Sequence, residues 1–210
     1  DIRSMDVTLG VRGDAVRLWD SHRNTLRGNR FHDSRDVVVW YSNGNLIEHN
    51  EGWNNRYSLH FMYAGHNLVR FNTFRHNAVG MFLMYSEHIT LIGNEVFNSL
   101  GGTGMGVGMK DSSAITLLGN RILYCATGIY VDQSPFDEET VNRFEDNKLA
   151  YNVQAVVFHG DWPGNEYRRN SFVDNLDAVA VQGKSTALDN LFERNFWSSY
   201  EGFDRDGNGV

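Results

Sequence analysis

The sequence predicts an all-β fold, a right-handed, single-stranded parallel β-helix of about eight coils, each 21–27 residues long. Three observations predict it: a recurring Asn, apolar positions at fixed distances from that Asn, and strand-like alternation in every repeat. The recurring residues are Asn29, Asn50, Asn72, Asn94, Asn120, Asn147, Asn170 and Asn195. Their separations are 21, 22, 22, 26, 27, 23 and 25 residues. So short an interval indicates a solenoid whose coils contact only their neighbours.

Apolar residues stand at fixed distances from each repeating Asn. Three residues before it are Leu26, Ile47, Val69, Leu91, Leu117, Phe144, Tyr167 and Phe192. Two residues after it are Phe31, Gly52, Phe74, Val96, Ile122, Leu149, Phe172 and Trp197, and only Gly52 departs from the pattern. Asn itself favours turns because it tolerates the left-handed backbone conformation, and stacked amides form hydrogen-bonded ladders. We therefore expect the Asn residues to be structural.

Each coil also contains a segment with alternating apolar residues, which is typical of a strand with one buried face. The first inward position is predicted at Val16, Val38, Leu59, Met81, Val107, Ile129, Val156 and Val179. The second is predicted at Leu18, Trp40, Phe61, Leu83, Met109, Val131, Phe158 and Val181. A helical repeat of the same length is disfavoured, because helix-forming residues are sparse and Asn and Gly recur too often.

Composition narrows the classes of function. The 210 residues carry a net charge of −7 and no basic run, which argues against nucleic acid and anionic membranes as partners. Cys125 is the only cysteine, so an intrachain disulfide is excluded. We expect residues 1–198 to be β-helix repeats of a longer protein and residues 199–210 to begin an acidic, Asp/Gly-rich segment. Longer intervals predict loops around residues 98–104, 133–140 and 161–164.

The outward side of the alternating strand carries the candidate site. Between the two inward positions stand Arg17, Val39, His60, Phe82, Gly108, Tyr130, Val157 and Ala180. One residue past the second inward position stand Trp19, Tyr41, Met62, Met84, Lys110, Asp132, His159 and Gln182. Neighbouring coils lie about 4.8 Å apart, so Met62 and Met84 are expected side by side, with His60 on the same face. The result is an exposed strip of aromatic and thioether side chains.

Two interpretations of this strip remain open. Thioether and imidazole ligands favour soft metals, above all copper(I), which predicts a transient site at Met62, Met84 and His60. His66 and His88 occupy equivalent places in adjacent coils and form a further candidate pair. Alternatively, the strip is a docking surface for a partner protein, in which the methionines only pack. The residues expected to contact such a partner are Trp19, Tyr41, Phe82, Lys110 and Asp132.

Two other patterns carry weaker predictions. Asp204, Asp206 and Asn208 alternate ahead of glycines as the first ligands of a calcium loop do, but the later ligands are missing and an acidic turn is the simpler interpretation. Lys110, Asp111, Asp132 and Asp161 provide bases and carboxylates that a polysaccharide-processing enzyme, such as a uronate lyase or epimerase, needs. A surface ion pair is the simpler interpretation of Lys110 and Asp132.

Several segments resemble the NosD family. These include SRDVVVWYSNGNLIEHN, RYSLHFMYAGHNLVRFNTF, VGMFLMYSEHITLIGNEV and GMGVGMKDSS, and the final WSSYEGFDRDGNGV is similar to that family's C-terminal stretch. The resemblance implies a periplasmic, non-enzymatic protein that helps to deliver copper(I) during maturation of nitrous oxide reductase. It also implies three partners: an ABC-type transporter with membrane and ATPase subunits, the copper chaperone lipoprotein NosL, and apo nitrous oxide reductase. It implies no specific set of ligands.

Overall fold

The computed structural model describes residues 1–4, 7–160, 162–183 and 186–202. These residues form a parallel β-solenoid of about eight coils, with three parallel sheets running along its length. The predicted fold class is confirmed. The described residues contain no α-helix, only the 3-10 turn Leu9–Val11, and thus no helix that could span a bilayer.

Each complete coil contributes one strand to each sheet, and every strand pairs with the equivalent strand of the next coil. Sheet A consists of Ile2–Arg3, Arg30–His32, Glu51–Trp53, Thr73–Arg75, Glu95–Phe97, Arg121–Leu123, Lys148–Ala150, Ser171–Val173 and Phe196–Trp197. Sheet B consists of Val16–Trp19, Asp36–Trp40, Tyr57–Met62, Val79–Met84, Met105–Lys110, Thr127–Asp132, Gln154–His159 and Asp177–Gln182. Sheet C consists of Thr25–Arg27, Leu46–Glu48, Leu68–Arg70, Thr90–Ile92, Thr116–Leu118, Asn142–Glu145, Asn165–Arg168 and Leu191–Glu193.

The repeating Asn residues form the predicted ladder between sheets C and A. Asn72 donates its side-chain amide to Asn94 Oδ1 (2.9 Å), and its backbone N–H donates to the same oxygen (3.0 Å). Asn94 in turn donates to Asn120 Oδ1 and to the backbone carbonyl of Val69, both at 3.0 Å. Because each internal Asn is buried, these bonds satisfy amide groups that water cannot reach.

We expected the Asn to adopt the left-handed backbone conformation of this turn. The residue before the Asn adopts it instead. Positive φ angles occur at Gly28, His49, Phe71, Gly93, Gly119, Asp146, Arg169 and Arg194. The Asn cannot take that role, because both its backbone N–H and its side chain are aligned for bonding along the solenoid axis. The preceding residue therefore makes the sharp change of direction.

The predicted register of the second coil was wrong by one residue. Val37 and Val39 face the core, whereas Val38 aligns with His60, and Trp40 aligns with Met62. The register shifts between Asp36 and Val38, so this strand begins with an irregular residue. A run of three valines has no alternation to indicate which face is buried, and the pattern alone left the register undetermined.

Candidate metal centre and docking face

Met62 and Met84 lie side by side on the outward face of sheet B. They are register partners in the adjacent strands Tyr57–Met62 and Val79–Met84. Their neighbours Phe61 and Leu83 are fully buried in the core, so alternation turns the two methionines away from it. Both side chains are half-buried. We call their column the Met column; its members are Trp19, Trp40, Met62, Met84, Lys110, Asp132, His159 and Gln182.

His60 contacts Met84 directly. Its Nε2 lies 3.4 Å from Met84 Sδ. The residue is only 9% exposed, so the strip is less open here than the sequence predicted. The reason is the flanking aromatic rings: the Tyr57 ring centroid is 4.7 Å from that of His60, and the Phe82 centroid is 6.3 Å away.

The other side of the His60 ring faces a carboxylate. Nδ1 lies 3.7 Å from Oδ2 of Asp36, which is buried. Arg56 donates from Nε to Asp36 Oδ1 at 2.9 Å and from a second guanidinium nitrogen to Oδ2, and its Cζ lies 4.8 Å above the Tyr57 ring. Burial acts to raise the pKa of Asp36, but His60 and Arg56 together outweigh it and hold the pKa below its usual value.

The spacing of the two donor atoms is compatible with a soft metal ion. Metal–sulfur and metal–nitrogen bonds of about 2.3 Å and 2.0 Å, at a tetrahedral angle, place the donors about 3.5 Å apart. The observed separation of His60 Nε2 and Met84 Sδ is 3.4 Å. Across the described residues there is no group of three or more His, Cys, Asp or Glu able to hold a metal. Beside His60 the face offers the thioether sulfurs of Met62 and Met84, which are ligands suited to copper(I).

His66 and His88 are adjacent, as predicted, but their rings are parallel. The ring centroids are 4.6 Å apart and the planes differ by 6°. Ring nitrogens donate to metals in the plane of the ring, so parallel rings direct their lone pairs side by side rather than toward one point. Both side chains are exposed. Binding of one ion by this pair requires at least one ring to rotate.

An aromatic surface adjoins the methionines. Trp19 and Trp40 meet edge to face at 4.6 Å, and Trp19 also contacts Tyr41 at 5.6 Å. Tyr41 is not in the Met column but one residue further along, where it stacks on Tyr63 at 5.1 Å; Tyr63 then stacks on Tyr85 at 4.9 Å. Trp19 is 53% exposed and Tyr41 45%, which fits contact with a partner protein.

A charged group continues the Met column on the opposite side of the methionines. Asp132 Oδ2 accepts from Lys110 Nζ at 3.2 Å, while Asp132 Oδ1 lies 3.0 Å from His159 Nδ1. The hydrogen bond to Asp132 raises the pKa of Lys110, so the ammonium stays charged. Burial is the largest influence on Asp111 and raises the pKa of its carboxyl group.

Sequence reasoning missed several residues around the site. Asp36, Arg56 and Tyr57 surround His60, and His159 contacts Asp132 through Nδ1. The tyrosine stack had a usable signal, because Tyr41, Tyr63 and Tyr85 each stand nine residues before their repeat Asn. The proposed calcium ligands Asp204, Asp206 and Asn208 lie outside the described residues, as does Asp161.

Similar folds occur among solved structures. XylC in complex with xylose superimposes with a TM-score of 0.63 at 12% identity, over 88% of this chain and 38% of that chain. The A-modules of two mannuronan C-5 epimerases of Azotobacter vinelandii, AlgE4 and AlgE6, give TM-scores of 0.51 and 0.53 at 19% and 14% identity. The alignments cover 89% and 87% of this chain, and 54% and 58% of the two modules. At such identities the likeness shows the fold alone.

The chain spans between 38% and 58% of the lengths of these three proteins. No curated protein sequence is significantly similar to it. The family model described as "Periplasmic copper-binding protein (NosD)" matches residues 1–202. That range includes all three sheets and the whole Met column.

Proposed function

This chain belongs to the NosD family of periplasmic copper-binding proteins, which implies a role in the copper maturation of nitrous oxide reductase, and from that premise we propose how its outward face serves the role. The solenoid is a rigid scaffold that holds copper(I) transiently as cargo on sheet B. The ligands are His60 and Met84, with Met62 as the third donor. The observation that carries this proposal is the 3.4 Å approach of His60 Nε2 to Met84 Sδ, with Met62 in register beside them.

Few ligands suit a site that must release its metal. Two thioethers and one imidazole match the softness of copper(I) without the multiple thiolates that would retain it. The half-buried methionines leave the ion accessible from solvent, so a partner can contribute a ligand and then take the metal away. The stacked pair His66 and His88 is a second candidate site. It is less suited to copper(I) than the methionine site, because its rings must rotate before they can share an ion.

The neighbouring surfaces serve as the docking face. Trp19 and Tyr41 offer exposed rings on one side of the methionines, Phe82 flanks His60, and Lys110 with Asp132 provides charge on the other side. Aromatic anchors beside charged groups are typical of protein interfaces. We assign this face to the chaperone lipoprotein NosL and to apo nitrous oxide reductase in turn. ATP hydrolysis by the associated ABC-type transporter would switch this face from NosL to apo nitrous oxide reductase. Such a switch requires that the ATPase site and the docking face be coupled.

A copper(I) competition titration tests the site. The protein competes with a chromophoric copper(I) chelator, and the variants are Met84→Leu, Met62→Leu and His60→Gln. We expect each to weaken copper(I) binding tenfold or more, that is by at least about 1.4 kcal/mol. Leucine matches methionine closely in volume, so the fold should persist. Met105→Leu is the matched control, because Met105 is also half-buried but lies in a different column of the same sheet.

Unchanged copper(I) affinity in all three variants would exclude the site. Weaker copper(I) binding only in the double variant His66→Gln/His88→Gln would place the copper site at the stacked pair.

Docking is tested separately, by measuring binding of soluble NosL to Trp19→Ala and Tyr41→Ala. Normal binding by both variants would mean that the chaperone contacts another face.

The alternative function, a uronate lyase or epimerase, depends on Lys110, Asp111 and Asp132. The hydrogen bond to Asp132 raises the pKa of Lys110, which disfavours the neutral amine that would accept a proton from a sugar ring. The family's role in maturation is not catalytic. Incubation with polymannuronate, followed in the ultraviolet for unsaturated ends and by NMR for epimerised residues, should show no turnover. If the protein does turn over this polymer, and Asp132→Asn abolishes the turnover, the alternative enzymatic function would be supported.

A further inference from the structure

The two nitrogens of the His60 ring face groups of opposite character. Nδ1 faces the carboxylate of Asp36 at 3.7 Å, and Nε2 faces the thioether of Met84 at 3.4 Å. A neutral imidazole carries one proton, so one nitrogen is a donor and the other presents a lone pair. Which nitrogen holds the proton decides whether the lone pair points toward the sulfur.

We infer that Asp36 is a positioning residue that keeps the His60 proton on Nδ1 and so directs the lone pair of Nε2 at Met84 Sδ. A carboxylate offers only acceptors, so a lone pair on Nδ1 would face a negative charge. At 3.7 Å the contact is longer than a hydrogen bond and acts through charge. The effect is strong here because His60 is 9% exposed and Asp36 1% exposed, where water screens charge poorly.

As a consequence, His60 Nε2 and Met84 Sδ each present a lone pair, and no hydrogen atom lies between them. A thioether sulfur is a weak acceptor and cannot donate to Nε2. With the proton of the neutral ring on Nδ1, both atoms can present lone pairs to one soft cation, so the pair suits copper(I) or its analogue silver(I). Histidines that bind metals usually donate their other ring N–H to a carboxylate or carbonyl, which fixes the tautomer. Arg56 holds Asp36 in place through two hydrogen bonds.

The tautomer can be measured in the metal-free protein. A long-range proton–nitrogen NMR spectrum of the ¹⁵N-labelled chain distinguishes protonated from unprotonated ring nitrogens, and His60→Gln identifies the signals of His60. We expect a protonated Nδ1 and an unprotonated Nε2 at neutral pH. A proton on Nε2 would overturn the inference, whether Nδ1 is bare or also protonated.

A second experiment replaces the carboxylate of Asp36. In Asp36→Asn the amide can donate to Nδ1, so the proton should move to Nε2 and copper(I) and silver(I) affinity should fall roughly 10–100-fold. Asp14→Asn is the matched control, because Asp14 lies one coil earlier and forms its ion pairs with Arg17 and Arg35; among the described residues it has no ion pair with a histidine. It should leave both the tautomer and the affinity unchanged. An unchanged tautomer in folded Asp36→Asn would overturn the inference.

This inference rests on the proposed copper site only for its effect on affinity. If His60→Gln and Met84→Leu leave copper(I) binding intact, the proposed function fails, while the tautomer in the metal-free protein still reports on Asp36. If those variants lose binding but the proton lies on Nε2, the site stands and the role of Asp36 fails.

Discussion

The Asn ladder and the Met column run along the same solenoid with the same spacing between coils, yet they differ in how much they repeat. The ladder keeps one residue type in all eight coils, and each internal amide bonds to the next. The Met column changes from tryptophan to methionine and then to charged residues. A repeated residue extends one stabilising interaction along the axis, whereas a varied column divides one face into local sites.

The Met column contains three such sites in succession. Trp19 and Trp40 form an aromatic pair, Met62 and Met84 a thioether pair, and Lys110, Asp132 and His159 a charged group. Neighbouring coils supply each site, so residues about 22 positions apart act together. Of these two regions, the ladder should therefore contribute more to stability, and the Met column more to copper binding.

The largest expected effect on stability is at the ladder. Asn94→Ala removes the acceptor for two bonds from Asn72 and the donor for bonds to Val69 and Asn120. Loss of these buried bonds should lower the free energy of unfolding by about 3 kcal/mol, measured by urea denaturation. Met62→Leu, the matched change in the Met column, should cost less than about 1 kcal/mol. Equal losses would remove the distinction between the two regions.

A smaller effect is expected at Gly108, where the outward face has no room for a side chain. A Cβ at this position would lie 2.4 Å from two ring atoms of Phe82. Gly108→Ala should therefore displace that ring and lower the free energy of unfolding by about 2 kcal/mol. Because Phe82 flanks His60, copper(I) affinity should also fall although no ligand has changed.

The control for Gly108 is Gly102→Ala, in a loop where a Cβ meets no atom within 4 Å. That change should alter the unfolding free energy by less than about 0.5 kcal/mol. A normal copper(I) affinity in Gly108→Ala would show that the packing of Phe82 does not influence the site.

The smallest effect is expected at Cys125, a soft donor that is buried in the core at the turn between the strands Arg121–Leu123 and Thr127–Asp132. Its side chain is 1% exposed, and burial raises the pKa of the thiol to about 11. The native protein should resist iodoacetamide at neutral pH and react once unfolded, since the thiolate is the nucleophile. Cys125→Ala should cost about 1 kcal/mol of stability and leave copper(I) affinity unchanged. Weaker copper binding in this variant would place a ligand inside the solenoid.

Much of the architecture was predictable because a solenoid repeats its constraints. The distance of each position from the next repeat Asn identified the ladder, the core positions and the proximity of Met62 to Met84. The same count would have corrected the second coil, since Val38 and His60 both stand 12 residues before their Asn. Alternation cannot set the register there, because three consecutive valines have none.

The sequence by itself determined the periodicity, and with it the class of fold, the ladder and the column in which the two methionines meet. Only the tertiary structure decided the contacts of individual atoms: His60 against Met84, Asp36 behind His60, and the parallel rings of His66 and His88. The physical reason is that register follows from regular backbone spacing, which a repeat encodes many times over. Burial and side-chain direction depend instead on the residues of neighbouring coils, and each of those occurs once.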